Sequence, residues 1–221
     1  MAPRAARGGG VVTRMVLAPH ADDESYGCGG LLAKYPEQCV VVVVTSPTPD
    51  RHFEFQRAMD AVGGSSLRSE QLSFADGWAG GNMKQLVTEL DALLVEYKPD
   101  ELYLPFPSTH QDHRAVYEAG MIAARLSMDA DHWMPGGVLV YDVPVYDLQL
   151  YPTDLRWNVF EALTAIQVQK KAAAVACYES ELPKGPHPGQ NSSVVAQARA
   201  LGVARGVDYA EQYARIREVR L

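Results

Sequence analysis

The sequence predicts an α/β fold, a mostly parallel sheet with flanking helices in a single domain. Three observations predict it. From Val11 onward, short apolar runs alternate with longer amphipathic stretches, the pattern of βα units feeding a parallel sheet. Val40 to Thr45 is an unbroken β-branched run, as in a strand covered on both faces. Two clusters of His and Asp each fall just after an expected strand and at the start of an expected helix.

Taken in order, Val11 to Ala18 reads as a strand stopped by Pro19, and Asp22, Asp23 and Glu24 open a helix that continues to Lys34. Val40 to Thr45 is the next strand, and Pro47 and Pro49 impose a loop after it. Helical periodicity resumes from Phe53 to Val62, closed by Gly63-Gly64, and again from Met83 to Tyr97, closed by Lys98-Pro99. Gln71 to Ala75 between them is a strand. Glu101 to Phe106 forms another, followed by the Pro107-Ser108-Thr109 loop, a helix from about Asp112 to Leu126, and a strand from Val138 to Val143. Beyond about residue 152 the texture is helical: Ala162 to Glu181, a Pro/Gly-rich loop from Leu182 to Gln190, then helix from Ser192 onward.

Composition narrows the function. The 221 residues, 47% hydrophobic and 21% charged, suffice for one domain with a substantial core. Residues 1–10 read as a flexible leader and 11–221 as the domain. The formal charge of −7, without a Lys/Arg stripe, argues against a nucleic-acid polymer as partner. Cys28, Cys39 and Cys177 are too few and too scattered for a disulfide framework or a metal knuckle, and read as small apolar residues of a reducing compartment. With no apolar h-region after the basic leader and no membrane span, the expectation is a cytoplasmic protein. A homo-oligomer stays open.

In an open parallel sheet, loops at the carboxyl ends of the strands share one rim, where ligands bind. His20-Ala21-Asp22-Asp23-Glu24 and His110-Gln111-Asp112-His113 are both expected there. A catalytic zinc takes about three His, Asp or Glu ligands and keeps a position open for water. His20, Asp23 and His113 supply such a set. Consecutive carboxylates do not comfortably share one metal, which leaves Asp22 as the general base toward the activated water. His110, one turn before His113, would face the same cavity and stabilise a developing oxyanion as a charged imidazole, and Asp112 would orient an imidazole. Each cluster alone has a plainer reading. The acidic residues suit a first helical turn complementing the dipole, and Asp112 suits an N-cap. Gly27-Cys28-Gly29-Gly30 follows the acidic turn and reads as close helix packing, not a phosphate loop. His52, His132 and the tryptophans read as structural, and His187 as part of a loop bordering the pocket.

Ala18-Pro19-His20-Ala21-Asp22-Asp23-Glu24 with Gly27-Cys28-Gly29-Gly30 resembles the AHPDDE…GCGG signature of the LmbE-like, or PIG-L, N-acetylglucosaminyl deacetylases, and His110-Gln111-Asp112-His113 resembles their HxDH motif. The similarity continues through Arg51-His52-Phe53-Glu54 with Ala58, Asp76-Gly77, and Gly206 to Glu211. The resemblance implies a Rossmann-like α/β domain with zinc at His20, Asp23 and His113, one ion per chain, Asp22 as base and His110 assisting at the oxyanion. It implies removal of N-acetyl groups from amino-sugar substrates. Two departures stand out: Ala21 replaces the usual proline, and Thr45 to Asp50 replaces a glycine-containing loop. Arg51 either contacts substrate or pairs with Glu54. Other divalent metals suit the same donors, and the same site would serve another acyl amide or an ester. The non-enzymatic alternative is a sugar- or nucleotide-binding module.

Overall fold

The computed structural model describes residues 11–144 and 153–219. Its elements run β1 (Arg14–Ala18), α1 (Asp23–Lys34), β2 (Cys39–Thr45), α2 (Pro49–Val62), β3 (Arg68–Phe74), α3 (Met83–Tyr97), β4 (Glu101–Pro105), α4 (Gln111–Ala123), β5 (Gly137–Tyr141), β6 (Val159–Leu163), α5 (Ala165–Ala176), α6 (Asn191–Val203) and β7 (Tyr209–Glu218). The leader assigned to residues 1–10 lies outside the described residues.

One seven-stranded sheet has the order β3-β2-β1-β4-β5-β7-β6. The first five strands are parallel, and β7 runs antiparallel to both β5 and β6. The chain winds outward from β1 through β2 to β3, then crosses back to place β4 on the other side of β1. The winding therefore reverses between β1 and β4, which opens a crevice beyond their carboxyl ends.

The apolar runs are continuous because both faces of the sheet are covered. Val16, Ala18, Val41 and Val43 point to the core beneath α1, α2 and α5, while Met15, Leu17, Val40, Val42 and Val44 point to the core beneath α3 and α4. This period-two division of one unbroken string is the signature of a doubly covered strand.

Helix α1 packs closely on the sheet, and its glycines permit it. A Cβ on Gly27 would lie 2.0 Å from the Tyr141 ring, and one on Gly30 2.3 Å from Leu163. The Glu211 carboxylate reaches α1 there, accepting from Gly30 N (2.7 Å), Leu31 N (2.8 Å), Lys171 Nζ (2.6 Å) and Tyr213 Oη (2.7 Å). A buried charge is tolerated when paired and fully hydrogen-bonded in this way.

The structure corrects the reading of the C-terminal part as mostly helix packed on the sheet. β6 and β7 complete the sheet, and α5 begins at Ala165, after β6. The β7 segment is rich in Ala, Glu, Gln and Arg, which favour helix in isolation. Pairing with β5 on one side and β6 on the other overrides that preference. A second difference lies after β2. Pro49 and Asp50 already belong to α2, with Pro49 in its first turn and the Thr48 side chain accepting from Arg51 N, a favoured helix start. Among the described residues no helix is long and apolar enough to cross a membrane.

Candidate metal centre

The two His/Asp clusters converge at the β1–β4 crevice. His20 leaves the end of β1, and His110 precedes α4 at the end of β4, so neighbouring strands deliver both motifs to one place. Asp23 Oδ2 lies 3.3 Å from His20 Nδ1 and 3.2 Å from His113 Nε2. It also accepts from His20 N at 3.0 Å. Both separations fit a tetrahedral ion, whose ligand bonds of ~2.0–2.2 Å set neighbouring donors ~3.4 Å apart. One ring nitrogen from each of His20, His110 and His113 also lies within 4.8 Å of the others.

Asp23 and His113 are buried. Burial works against the charge of Asp23, but His113 and His20 beside it hold its carboxyl far below the usual carboxylate range. Burial likewise disfavours the charged form of His20, yet its contacts with Asp23 and Asp112 raise it to about 9. A carboxylate held between two imidazoles is a donor set of the kind that takes a divalent ion.

The far side of His20 is fixed separately. Its Nε2 meets Asp112 Oδ2 at 3.1 Å, leaving Nδ1 toward Asp23. Asp112 is held in turn by Gly77 N (2.7 Å) and Ala79 N (3.0 Å), so it orients the imidazole rather than capping α4. The cap is His110, whose Nδ1 accepts from Asp112 N at 3.2 Å. Accepting there leaves the His110 proton on Nε2. Burial and the neighbouring imidazoles of His20 and His113 push its pKa down. The neutral ring, not the imidazolium expected from the sequence, is therefore the form held in place.

Asp22 sits one residue before α1 with φ 145°, ψ −31°. This backbone region is costly for a side-chain-bearing residue. It sends the two consecutive carboxylates to different partners: Asp23 Oδ2 to the imidazoles, and Asp22 Oδ2 toward Arg51, 3.5 Å from its guanidinium. Burial, followed by the repulsion of Asp23, pushes the Asp22 carboxyl well above its ordinary value.

Arg51 lies in the first turn of α2, bridging Asp22 and Glu181 (2.8 Å), and not paired with Glu54. Glu54 instead accepts from Ser180 N (2.9 Å) and Oγ (2.7 Å). Sequence reasoning gave no role to Asp76, whose Oδ1 is 3.2 Å from His20 Nε2. Its position after β3, on the same rim, was the available signal. His52 is bound to Gln71 and Gln56, His132 to the Arg125 carbonyl, and His187 to Gly189 N of its own loop. None of the three joins the site.

Residues 15–124 match the model of a family described as PIG-L, GlcNAc-PI de-N-acetylase. The chain is 25% identical over 181 residues to the "Uncharacterized deacetylase YaiS" of Escherichia coli (strain K12), covering 75% of this chain and 90% of that protein. Two solved structures share the fold across nearly the whole chain. GalB, the 4-carboxy-2-hydroxymuconate hydratase of Pseudomonas putida KT2440, superposes with a TM-score of 0.76 at 16% identity, covering 96% of this chain and 98% of that one. The N,N'-diacetylchitobiose deacetylase of Pyrococcus horikoshii superposes with a TM-score of 0.70 at 17% identity, covering 93% and 84%.

Proposed function

Because this chain belongs to the PIG-L (LmbE-like) family of deacetylases, which hydrolyse amide bonds, we propose that it removes an N-acetyl or similar acyl group from a small amino-sugar-type amine. We read residues 11–221 as one such deacetylase domain, and its three free cysteines suit a reducing, cytoplasmic setting. The observation that carries the reading is Asp23 Oδ2, 3.3 Å from His20 Nδ1 and 3.2 Å from His113 Nε2, with the Asp22 carboxylate turned aside beside it.

His20, Asp23 and His113 would hold one divalent ion, and the donor set suits zinc, with Fe(II), Co(II) or Mn(II) as alternatives. When bound, that ion would polarise the acyl carbonyl and acidify a water. Asp22 takes the proton from the attacking water as the new C–O bond forms. It returns that proton to the nitrogen as the C–N bond breaks, releasing the carboxylic acid and the free amine. Burial and the neighbouring Asp23 raise its affinity for a proton, the direction a base needs. His110 donates from Nε2 to the oxygen where negative charge develops. Asp112 keeps His20 in register, and Arg51, beside Asp22, is placed to grip a hydroxyl or anionic group of the substrate.

One protein of the same fold is a hydratase, and because a shared fold does not fix the reaction, addition of water to an unsaturated acid is the second reading to test. A panel separates the two: N-acetylglucosamine, N,N'-diacetylchitobiose and longer-chain N-acyl glucosamines, against acyl esters and an unsaturated dicarboxylate. We expect carboxylate and free amine from the amides with about one ion bound per chain. Preferential turnover of esters or of the unsaturated acid, or a protein that binds sugars without metal and without turnover, would overturn the reading.

A further inference from the structure

The turn that follows α5 is tied, residue by residue, to the helices that carry the candidate base and Arg51. Tyr178 Oη donates to Glu24 Oε1 at 2.6 Å, Glu179 pairs with Arg57 at 3.2 Å, Ser180 donates twice to Glu54, and Glu181 pairs with Arg51 at 2.8 Å. This turn lies outside residues 15–124, the part that matches the family. Two of its four contacts lead to Asp22, one through Glu24 and one through Arg51.

The route through Glu24 is buried throughout. Glu24 and Tyr178 are both fully inaccessible. The Glu24 carboxylate receives Tyr178 Oη and Ser25 Oγ (2.7 Å) on one oxygen and Asp22 N (3.0 Å) on the other. A buried carboxylate with donors on both oxygens is locked in orientation, and losing a donor costs more than an exposed hydrogen bond would. The amide it fastens belongs to the residue held at φ 145°. Strain of this kind persists only where the surroundings over-determine it. Here Glu24 supplies the restraint on the backbone, and Tyr178 fixes Glu24.

We infer that Glu24 and Tyr178 are positioning residues for Asp22: acting through the Asp22 amide, they hold the strained turn that separates the Asp22 carboxylate from that of Asp23 and presents it to the substrate. The inference rests on the reading of Asp22 as the general base. It also gives the turn after α5 a positioning role toward the site, through its contacts with Glu24 and Arg51.

The test uses the full-length, metal-loaded protein and whichever acylated glucosamine it turns over. Tyr178→Phe removes one buried hydroxyl, and kcat should fall on the order of tenfold with KM and bound metal unchanged, because a slightly misplaced base loses rate and not binding. Glu24→Gln should lose more. In an Asp22→Asn background, Tyr178→Phe should cost little further, since there is no base left to misplace. Amide hydrogen exchange at Asp22, independent of turnover, should be slow in the wild type and faster in both single variants. Should Glu24→Gln fail to fold, Tyr178→Phe alone carries the test. Wild-type kcat and wild-type exchange at Asp22 in Tyr178→Phe would overturn the inference, as would a full, independent loss in the Asp22→Asn background. Undiminished turnover in Asp22→Asn itself would instead remove the reading on which the inference rests.

Discussion

Asp23 Oδ2 lies 3.2 Å from His113 Nε2, although 90 residues of chain separate them. Two neighbouring parallel strands close that distance, each ending in a short loop that places a His/Asp motif at the point where the winding of the sheet reverses.

The first prediction separates two ligand sets that share His20 and His113. If Asp23 completes the set, His113→Ala should lower bound metal from about one ion per chain to near zero, while His110→Ala should keep the metal and lose only turnover. Metal analysis of the two purified variants decides it. Metal loss in His110→Ala would favour the three-histidine group instead.

Gly27→Ala should destabilise the fold without touching the site directly. The added methyl would meet the Tyr141 ring at 2.0 Å, and Tyr141 is pinned by its hydroxyl to the Leu17 carbonyl at 2.7 Å, so the ring has little room to retreat. Overpacking of this kind costs roughly 1–3 kcal/mol or more, and about 2–4 °C of melting temperature per kcal/mol in a chain of this size. A melting temperature within 1 °C of wild type, or about that, would show that the helix moves away freely.

Glu211→Ala should be more damaging still. It strips Lys171 Nζ, Gly30 N, Leu31 N and Tyr213 Oη of one shared acceptor in the interior. Breaking a buried pair from one side costs about 3–5 kcal/mol, measurable by chemical unfolding. Because these groups tie β7 to α1 and α5, the variant also tests whether the late strand is integral to the domain.

Much of this arrangement could be read in the chain. His20, Asp22, Asp23, His110 and His113 were legible because strand-then-helix texture places them on one rim, and the structure puts them together there. Their precise division was less legible. The sequence suggested that Asp112 orients an imidazole, with a helix cap as its plainer alternative; Asp112 does brace His20, and the cap, which the sequence did not suggest, is the His110 ring nitrogen. Strand β7 was missed because its residues favour helix locally and its stabilising partners, β5, Lys171 and α1, are distant in sequence. Tyr178 and Glu181 carry no local signal at all. Their significance is visible only once α5 is docked, when one meets Glu24 and the other Arg51.

A pH dependence follows from Asp142. Burial, opposed by Gln212 and Lys171, raises its carboxyl from 3.8 to about 6. The folded protein therefore holds a proton there that the unfolded chain has released, so this group makes stability fall as pH rises from about 4 to about 6, with no further change above. Asp142→Asn should remove that slope. The melting temperature of the variant relative to wild type should climb across this window and then level off. A difference that stays constant with pH would contradict the assignment.

The most direct test of the central claim is Asp22→Asn, measured for bound metal and for turnover of an acylated glucosamine in the same preparation. If Asp23 is a ligand and Asp22 the base, the variant keeps about one ion per chain while kcat falls by roughly 10²–10⁴-fold. Full turnover with the metal in place, or loss of the metal itself, would contradict that division of labour between the two adjacent carboxylates.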